Sequence, residues 1–371
     1  MRGNNVLGII FSNMHDESIR ELTDFRTMGS VPFGGRYRLI DFPLSNMANS
    51  GVTKVGVITK SNYRSLMDHL GSGKSWDLSR KREGLILLPP YGSGNAIYEN
   101  RLQALSGIRD FLASSQEEYV FMCDCDVICN ANIQEIVMNH IQNKADITVV
   151  YKHGMVDEKT LKSVVVNCDE EGRITEMMVS PRINGECDYG LNAYVMRRDF
   201  LEWIVSEAAS RNMKSFEKDI LQANVSRYRV MGYEFPSFIE TIGSMSQYFS
   251  ANMQLLRPEV RETLFDKDRP IYTKVKDDMP ARYGLGCQVK NSLVADGCVI
   301  EGSVENCVLF RGVHIGKGAK VANSIIMQAS DIGAGANLSY VITDKNVIIK
   351  PERTLMGFDS YPVFIRKGSV V

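Results

Sequence analysis

Five basic residues, Arg36, Arg38, Lys60, Arg64 and Lys74, are the side chains best suited to grip an anion. Guanidinium and ammonium groups donate to phosphate oxygens and neutralise their charge. Together they would line an effector site for a phosphorylated metabolite; dispersed, they would form a solvated face, which is the simpler reading. His69, His140, His153 and His314 are scattered and show no metal-ligand spacing. Cys123 and Cys125 form C-D-C, too tight for a C-x-x-C redox or zinc motif, so the eight cysteines read as small hydrophobes in a reduced compartment. Gly71-Ser-Gly-Lys-Ser75 lacks the spacing of a phosphate-binding P-loop.

The elements that position such groups follow from the hydrophobic pattern. Val6–Phe11, Lys54–Thr59, Gly84–Leu88, Tyr119–Met122 and Ile147–Tyr151 are short β-branched or aliphatic runs, expected as buried strands. Between them, 95–113 and 132–142 carry apolar residues at helical spacing. Strands alternating with helices predict an α/β domain with a mixed, mainly parallel sheet, whose ligands bind at the carboxyl ends of its strands. Ser163–Asn167 and Ile174–Val179 flank a turn and predict an antiparallel hairpin, with helices following at 198–209 and 244–256. Residues 257–286, charged and punctuated by Pro258, Pro270 and Pro280, read as a linker after a first domain of residues 1–256.

From 287 to 371 the pattern changes. Asn291-Ser-Leu-Val, Asn306-Cys-Val-Leu, Asn323-Ser-Ile-Ile and Ser339-Tyr-Val-Ile recur at intervals of 15, 17 and 16 residues, with aliphatics six apart and glycines between. A six-residue period suits one flat side of a triangular parallel β-helix, and three sides make about 18 residues per coil.

The 371 residues carry 43 Lys+Arg against 44 Asp+Glu, a formal net charge of -1, which lacks the footprint of a nucleic-acid binder. Val6–Phe11 is too short for a signal peptide's apolar region, and no run approaches the ~20 residues of a membrane span. A soluble, cytoplasmic protein is expected.

Phe33-Gly-Gly-Arg-Tyr-Arg-Leu-Ile-Asp-Phe-Pro-Leu-Ser-Asn-Met-Ala-Asn-Ser-Gly51 resembles the F-G-G-[KR]-[FY]-R-[IL]-I-D-F-x-L-S-N-x-x-N-S-G segment of bacterial glucose-1-phosphate adenylyltransferases (ADP-glucose pyrophosphorylases). Gly92-Ser93-Gly94-Asn95 and the residues to Asn100 resemble that family's nucleotide-binding loop, G-T-A-D-A-[VI]-x-x-N, in weakened form. The resemblance implies a nucleotidyltransferase domain of GT-A or Rossmann-like type, a linker and a left-handed β-helix. It also implies a chemistry, attack of the glucose-1-phosphate oxyanion on the α-phosphorus of ATP with release of pyrophosphate.

That chemistry brings two polyanions together, so charge neutralisation and positioning carry it. Against the family pattern, this sequence has lost the groups that do so. The loop G-G-R-G-T-R-L falls on Asn13-Met-His15-Asp16-Glu17-Ser18-Ile19, which has no glycine or arginine and places two acids where a triphosphate would lie. The lysine of K-P-A-V falls on Met28, and the lysine of E-K-P on Ser180. Of the two Mg²⁺ aspartates, one is kept as Asp126, a single weak ligand, and the other becomes Thr241, with Glu240 beside it as the one conceivable substitute.

A chain that keeps the fold-defining segment and loses four catalytic devices is similar to the non-catalytic, regulatory subunits that some Gram-positive bacteria pair with a catalytic homologue for glycogen synthesis. The resemblance then implies no tightly bound cofactor of its own, Mg²⁺ used by the catalytic partner, and a hetero-oligomer, two plus two being the natural guess. The alternative is an active glucose-1-phosphate adenylyltransferase, or related sugar-nucleotide transferase, that holds metal on Asp126 and Glu240 and reaches phosphates with Arg20, Arg36 or Arg38.

Overall fold

The computed structural model describes residues 5–81, 83–90, 98–156 and 163–371. Val6–Phe11 forms the central strand because every side chain in the run is apolar or glycine and every position is buried. It pairs in parallel with Lys54–Ile58 on one side and Tyr119–Asp124 on the other, and Gly84–Leu88 adds a further parallel strand. Gly185–Arg197 pairs antiparallel with both Tyr119–Asp124 and Ile147–Val156, and Val230–Glu234 runs parallel to the latter. The predicted hairpin forms between Val164–Cys168 and Ile174–Val179. A nine-stranded mixed sheet results, with two apolar clusters formed by its buried side chains and the packed helices.

The helical pattern of 95–113 is divided in the described part into Arg101–Gly107 and Arg109–Ala113, with a break at Ile108. Asn100 caps the first, its side chain accepting from the Gln103 N–H at 2.9 Å. Residues 257–286 are not all linker. Pro258–Leu264 is a helix with proline in its first turn, and Asn130 Nδ2 donates to Leu264 O, which ties that helix to the sheet domain.

The carboxyl-terminal part is a left-handed parallel β-helix of hexapeptide type. Its strands stack in three sheets of five, one for each side of the triangle, and each strand lies parallel to its counterpart one coil on. Arg282–Tyr283 already pairs with Val299–Ile300, so the first coil begins a few residues before 287. Asn291, Asn306 and Asn323 all have φ between 42° and 51°, and their amides form a ladder at one corner, from Asn291 Nδ2 to Asn306 Oδ1 at 2.7 Å and from Asn306 Nδ2 to Asn323 Oδ1 at 3.3 Å. Asparagine tolerates this left-handed backbone better than most residues, which explains its recurrence in the repeat.

The β-helix is fused to the sheet domain through a shared apolar cluster. Val308, Phe310, Ile325, Met327 and Ile342 belong to the same buried group as Phe33, Leu39 and Phe249. Among the described residues no helix is long and apolar enough to cross a membrane.

Candidate functional site

The carboxyl ends of the central strands converge, since Phe11 pairs with Ile58 on one side and with Asp124 on the other. The chain leaves Phe11 through Ser12–Met14 and presents His15 just before a single helical turn, Asp16–Ile19, with the Ser18 N–H donating to His15 O at 2.9 Å. The neighbouring strand ends on Asp124, and Asp126 follows it. These three side chains meet: His15 Nε2 lies 2.7 Å from Asp124 Oδ2 and 3.8 Å from Asp126 Oδ2. Asn192 Nδ2 lies 3.4 Å from the same nitrogen.

A fourth residue completes the group. Arg101, the first residue of its helix, makes a two-pronged pair with Asp124, Nη1 to Oδ1 at 2.9 Å and Nη2 to Oδ2 at 3.0 Å. Its Nε donates to Glu217 Oε1 at 3.1 Å, and its guanidinium sits over the Phe11 ring at 4.5 Å. Sequence reasoning missed Arg101. A partial signal was present, because position 101 lies one turn before the apolar Leu105, on a face where a charge is costly without a partner.

The proton affinities follow from this crowding. Burial alone would lower the His15 pKa, but the Asp126 charge and the hydrogen bond and charge of Asp124 outweigh it and raise it to about 9. Burial raises Asp126 to about 6, with the Asp124 charge adding to that and His15 opposing it. Burial also acts on Asp124, but Arg101 and His15 prevail and hold it below the ordinary carboxylate range.

His15, Ser18 and Asp126 open on a cleft of about 200 Å³, whose wall includes Ser163, Tyr189, Gly190, Asn192, Glu240, Thr241 and Gln247. Thr241 sits opposite Val127 in a two-stranded pairing, which sets it next to Asp126. Glu240 lines the cleft but is held by a neighbour. Its Oε1 accepts from Gln254 Nε2 at 2.7 Å, so it does not join the ligand group. Among the described residues the group with metal-ligand geometry is His15, Asp124 and Asp126.

The remaining predicted positions fall differently. Asp16 does not face the cleft, because its Oδ1 accepts the Met28 N–H at 2.7 Å and burial raises its pKa to about 7. Glu17 points into solvent beside Arg20. The repulsion expected of these two acids is therefore not built into the cleft wall. Met28 is buried in the core, 1% exposed, and Ser180 is exposed at the end of its strand. Gly92, Ser93, Gly94 and Asn95 lie outside the described residues.

The five basic residues differ in their surroundings. Arg36, Arg64 and Lys74 are exposed, and Lys60 lies 5.8 Å from the Tyr98 ring. Arg38 joins a basic group with Arg26, Lys276 and Lys345 where the domains meet. Burial, then Arg38 and Arg26, lowers the Lys345 pKa to about 7.

A nucleotidyl transferase family model matches residues 17–257, about two thirds of the chain. The chain belongs to the nucleotidyl transferase family. A model described as GlmU-like, C-terminal hexapeptide, matches residues 277–362. The chain is 38% identical over 372 residues to the glycogen biosynthesis protein GlgD of Geobacillus stearothermophilus, covering 99% of this chain and 97% of that one. It is 35% identical over 371 residues to the protein of the same name from Bacillus subtilis (strain 168), covering 100% and 98%. A glucose-1-phosphate adenylyltransferase of Bacillus cereus (strain Q1) is 31% identical over 339 residues, covering 88% and 89%. The family resemblance read from Phe33–Gly51 is thus confirmed over nearly the whole chain.

The family implies Mg²⁺, and the donor set does not fit it. Mg²⁺ asks for oxygen ligands in near-octahedral array. Here both Asp124 oxygens are engaged by Arg101 and one of them also by His15, and Thr241 replaces the second carboxylate, so Asp126 is left as the one uncommitted carboxylate of the group, with an imidazole nitrogen 3.8 Å from it.

Proposed function

We propose that this chain is a non-catalytic, regulatory subunit of ADP-glucose pyrophosphorylase, acting in glycogen biosynthesis in the cytoplasm by assembling with a catalytic homologue. One observation carries the reading: His15 and Arg101 both engage Asp124, and His15 also stands 3.8 Å from Asp126, at the strand end where the chemistry needs a metal. The buried Met28 supports it, since no cation stands at that position. The names of the GlgD relatives and of the adenylyltransferase relatives support the pathway and the reaction in this reading.

In this reading the Mg²⁺ and the turnover belong to the partner subunit, and this chain raises activity by making different contacts with the partner's conformational states. Exposed apolar side chains at both ends of the β-helix, Tyr283 and Leu285 at one and Met356, Phe358 and Tyr361 at the other, offer contact surface for a two-plus-two assembly. A phosphorylated effector, if one acts, would meet Arg38 with Lys345 and Lys276 at the domain junction rather than the surface set of five. The test is an assay of ADP-glucose formation by the chain alone, by the catalytic homologue alone, and by both after co-purification. Turnover by the isolated chain at a rate comparable to the homologue ends the proposal; stimulation of the homologue within a stable complex supports it.

A further inference from the structure

We propose that His15 and Arg101 are a built-in replacement for a divalent cation, closing the Asp124/Asp126 site to metal ions. The inference rests on the non-catalytic reading of the cleft and gives its physical cause.

The added charge comes first. Although Arg101 shares its charge with Glu217, two cationic side chains, an imidazolium and a guanidinium, stand against Asp124 and Asp126 and bring the charge of one divalent ion. They are also close enough to act as it would, with Arg101 at 2.9 and 3.0 Å and His15 at 2.7 Å from Asp124, and His15 at 3.8 Å from Asp126. Two ligands of one ion, each about 2.0–2.2 Å from it, stand about 3 Å or more apart. The 2.7 Å between His15 Nε2 and Asp124 Oδ2 is a charge-assisted hydrogen-bond separation instead. Asp124 is largely committed, since its two oxygens accept three N–H bonds, three of about four acceptor positions. Arg101 is fixed in turn by Glu217 and by the Phe11 and Tyr194 rings, so it cannot swing away to admit an ion without exposing a buried charge.

Asp126 shows what was left behind. It is 3% exposed, and its Oδ1 finds no hydrogen-bond partner among the described residues. A buried carboxylate oxygen without a donor, at the wall of a polar cleft, is what remains when a metal ligand has lost its ion and the nearest cation stops short. Removing His15 should therefore free a site: Asp126 would lose its compensating charge, and space would open between it and Asp124.

The experiment uses the full chain and Mn²⁺, followed by the electron paramagnetic resonance of the free ion, so that its readout is independent of ADP-glucose synthesis. The wild type should show no saturable uptake below about 1 mM, a range in which weak protein sites for such ions fill. His15→Ala should bind at least about tenfold more tightly, as expected when a unit positive charge ~4 Å from a divalent ion is removed. Adding Asp126→Asn to His15→Ala should abolish the gain. His15→Asn, which keeps a polar side chain, is the second variant should the alanine variant not fold, and a rise in its melting temperature with Mn²⁺ is a second readout. Saturable binding by the wild type that either His15 variant weakens would make His15 a ligand and overturn the inference. So would a folded His15 variant with no gain. An inactive chain with either result leaves the non-catalytic reading standing, whereas an active one removes that reading whatever Mn²⁺ does.

Discussion

Arg26 and Asp344, 318 positions apart in sequence, form a buried two-pronged ion pair across the junction of the two domains, with Arg26 Nη2 at 2.8 and 2.7 Å from the carboxylate oxygens. Both side chains are less than 5% exposed. Removing one partner of such a pair strands the other charge away from water, which costs about 3–5 kcal/mol. Asp344→Asn should therefore lower the stability of the whole chain by an amount in or just below that range. It should also weaken the coupling between the unfolding of the β-helix and that of the sheet domain, because the pair is a charged tie that adds to their shared apolar cluster. Urea denaturation followed by tyrosine and tryptophan fluorescence checks this. A single transition with an unchanged midpoint would refute it.

The His15 pKa predicts a pH slope of definite sign. With about 9 in the folded chain and 6.5 as the ordinary value, the folded state holds the proton more tightly. The stabilisation is fully present below pH 6.5 and is lost as pH rises through 9. At 1.36 kcal/mol per unit it amounts to about 3 kcal/mol at most. Lys345, lowered to about 7, acts in the opposite direction over the upper part of that window. The comparison must therefore be wild type minus His15→Gln, for which the difference in stability should shrink between pH 6.5 and 9. A nuclear magnetic resonance titration of the His15 ring reads the same constant directly.

Much of this architecture could be read from residue patterns, and where reading stopped the reason is physical. Val6–Phe11 and Gly84–Leu88 are short runs whose boundaries coincide with the observed strands, the first fully buried and the second a half-buried edge strand, because a covered parallel strand needs an unbroken apolar segment. The β-helix announced itself through the 15-to-17-residue recurrence of Asn291, Asn306 and Asn323, whose left-handed backbone the corners demand. The candidate site was legible only in part. Spacing can show that Asp124 and Asp126 share a strand end, but not that Arg101 reaches one of them from a helix whose side chains otherwise pack the core. Asp16 misled for a related reason, since a loop acid reads as exposed unless its backbone partner, here the Met28 N–H, is known. Arg26 with Asp344 lay beyond any local pattern.

Gly316 tests the stacking of the coils. A Cβ there would stand 2.7 Å from Ala334 N and 2.8 Å from Ile332 O, both backbone atoms of the next coil that cannot rotate aside. Gly316→Ala should cost about 1–3 kcal/mol by overpacking, seen as a lower melting temperature. Gly107→Ala is the control, because nothing lies within 4 Å of its would-be Cβ. It should be neutral or slightly stabilising. Equal effects at the two positions would show that the coils are less closely stacked than these distances require.

Restoring catalysis should need several changes made together, and Met28 shows why. Its side chain is 1% exposed among apolar neighbours, and its N–H is held by Asp16. Met28→Lys alone puts an ammonium where no phosphate has a site to meet it, so burial cost dominates and the expected result is a loss of about 1–3 kcal/mol with no ADP-glucose formed. Replacing Asn13–Ser18 with G-G-R-G-T-R removes His15 and Asp16 at once, supplies backbone donors and two guanidinium groups for phosphate oxygens, and leaves Asp126 without its imidazole neighbour. Thr241→Asp then returns a carboxylate beside Asp126, and Ser180→Lys adds a cation at the end of its strand. The combined variant should form ADP-glucose at a measurable rate from ATP, glucose 1-phosphate and Mg²⁺. Robust activity from Met28→Lys by itself would mean that the cleft had kept its phosphate and metal sites all along.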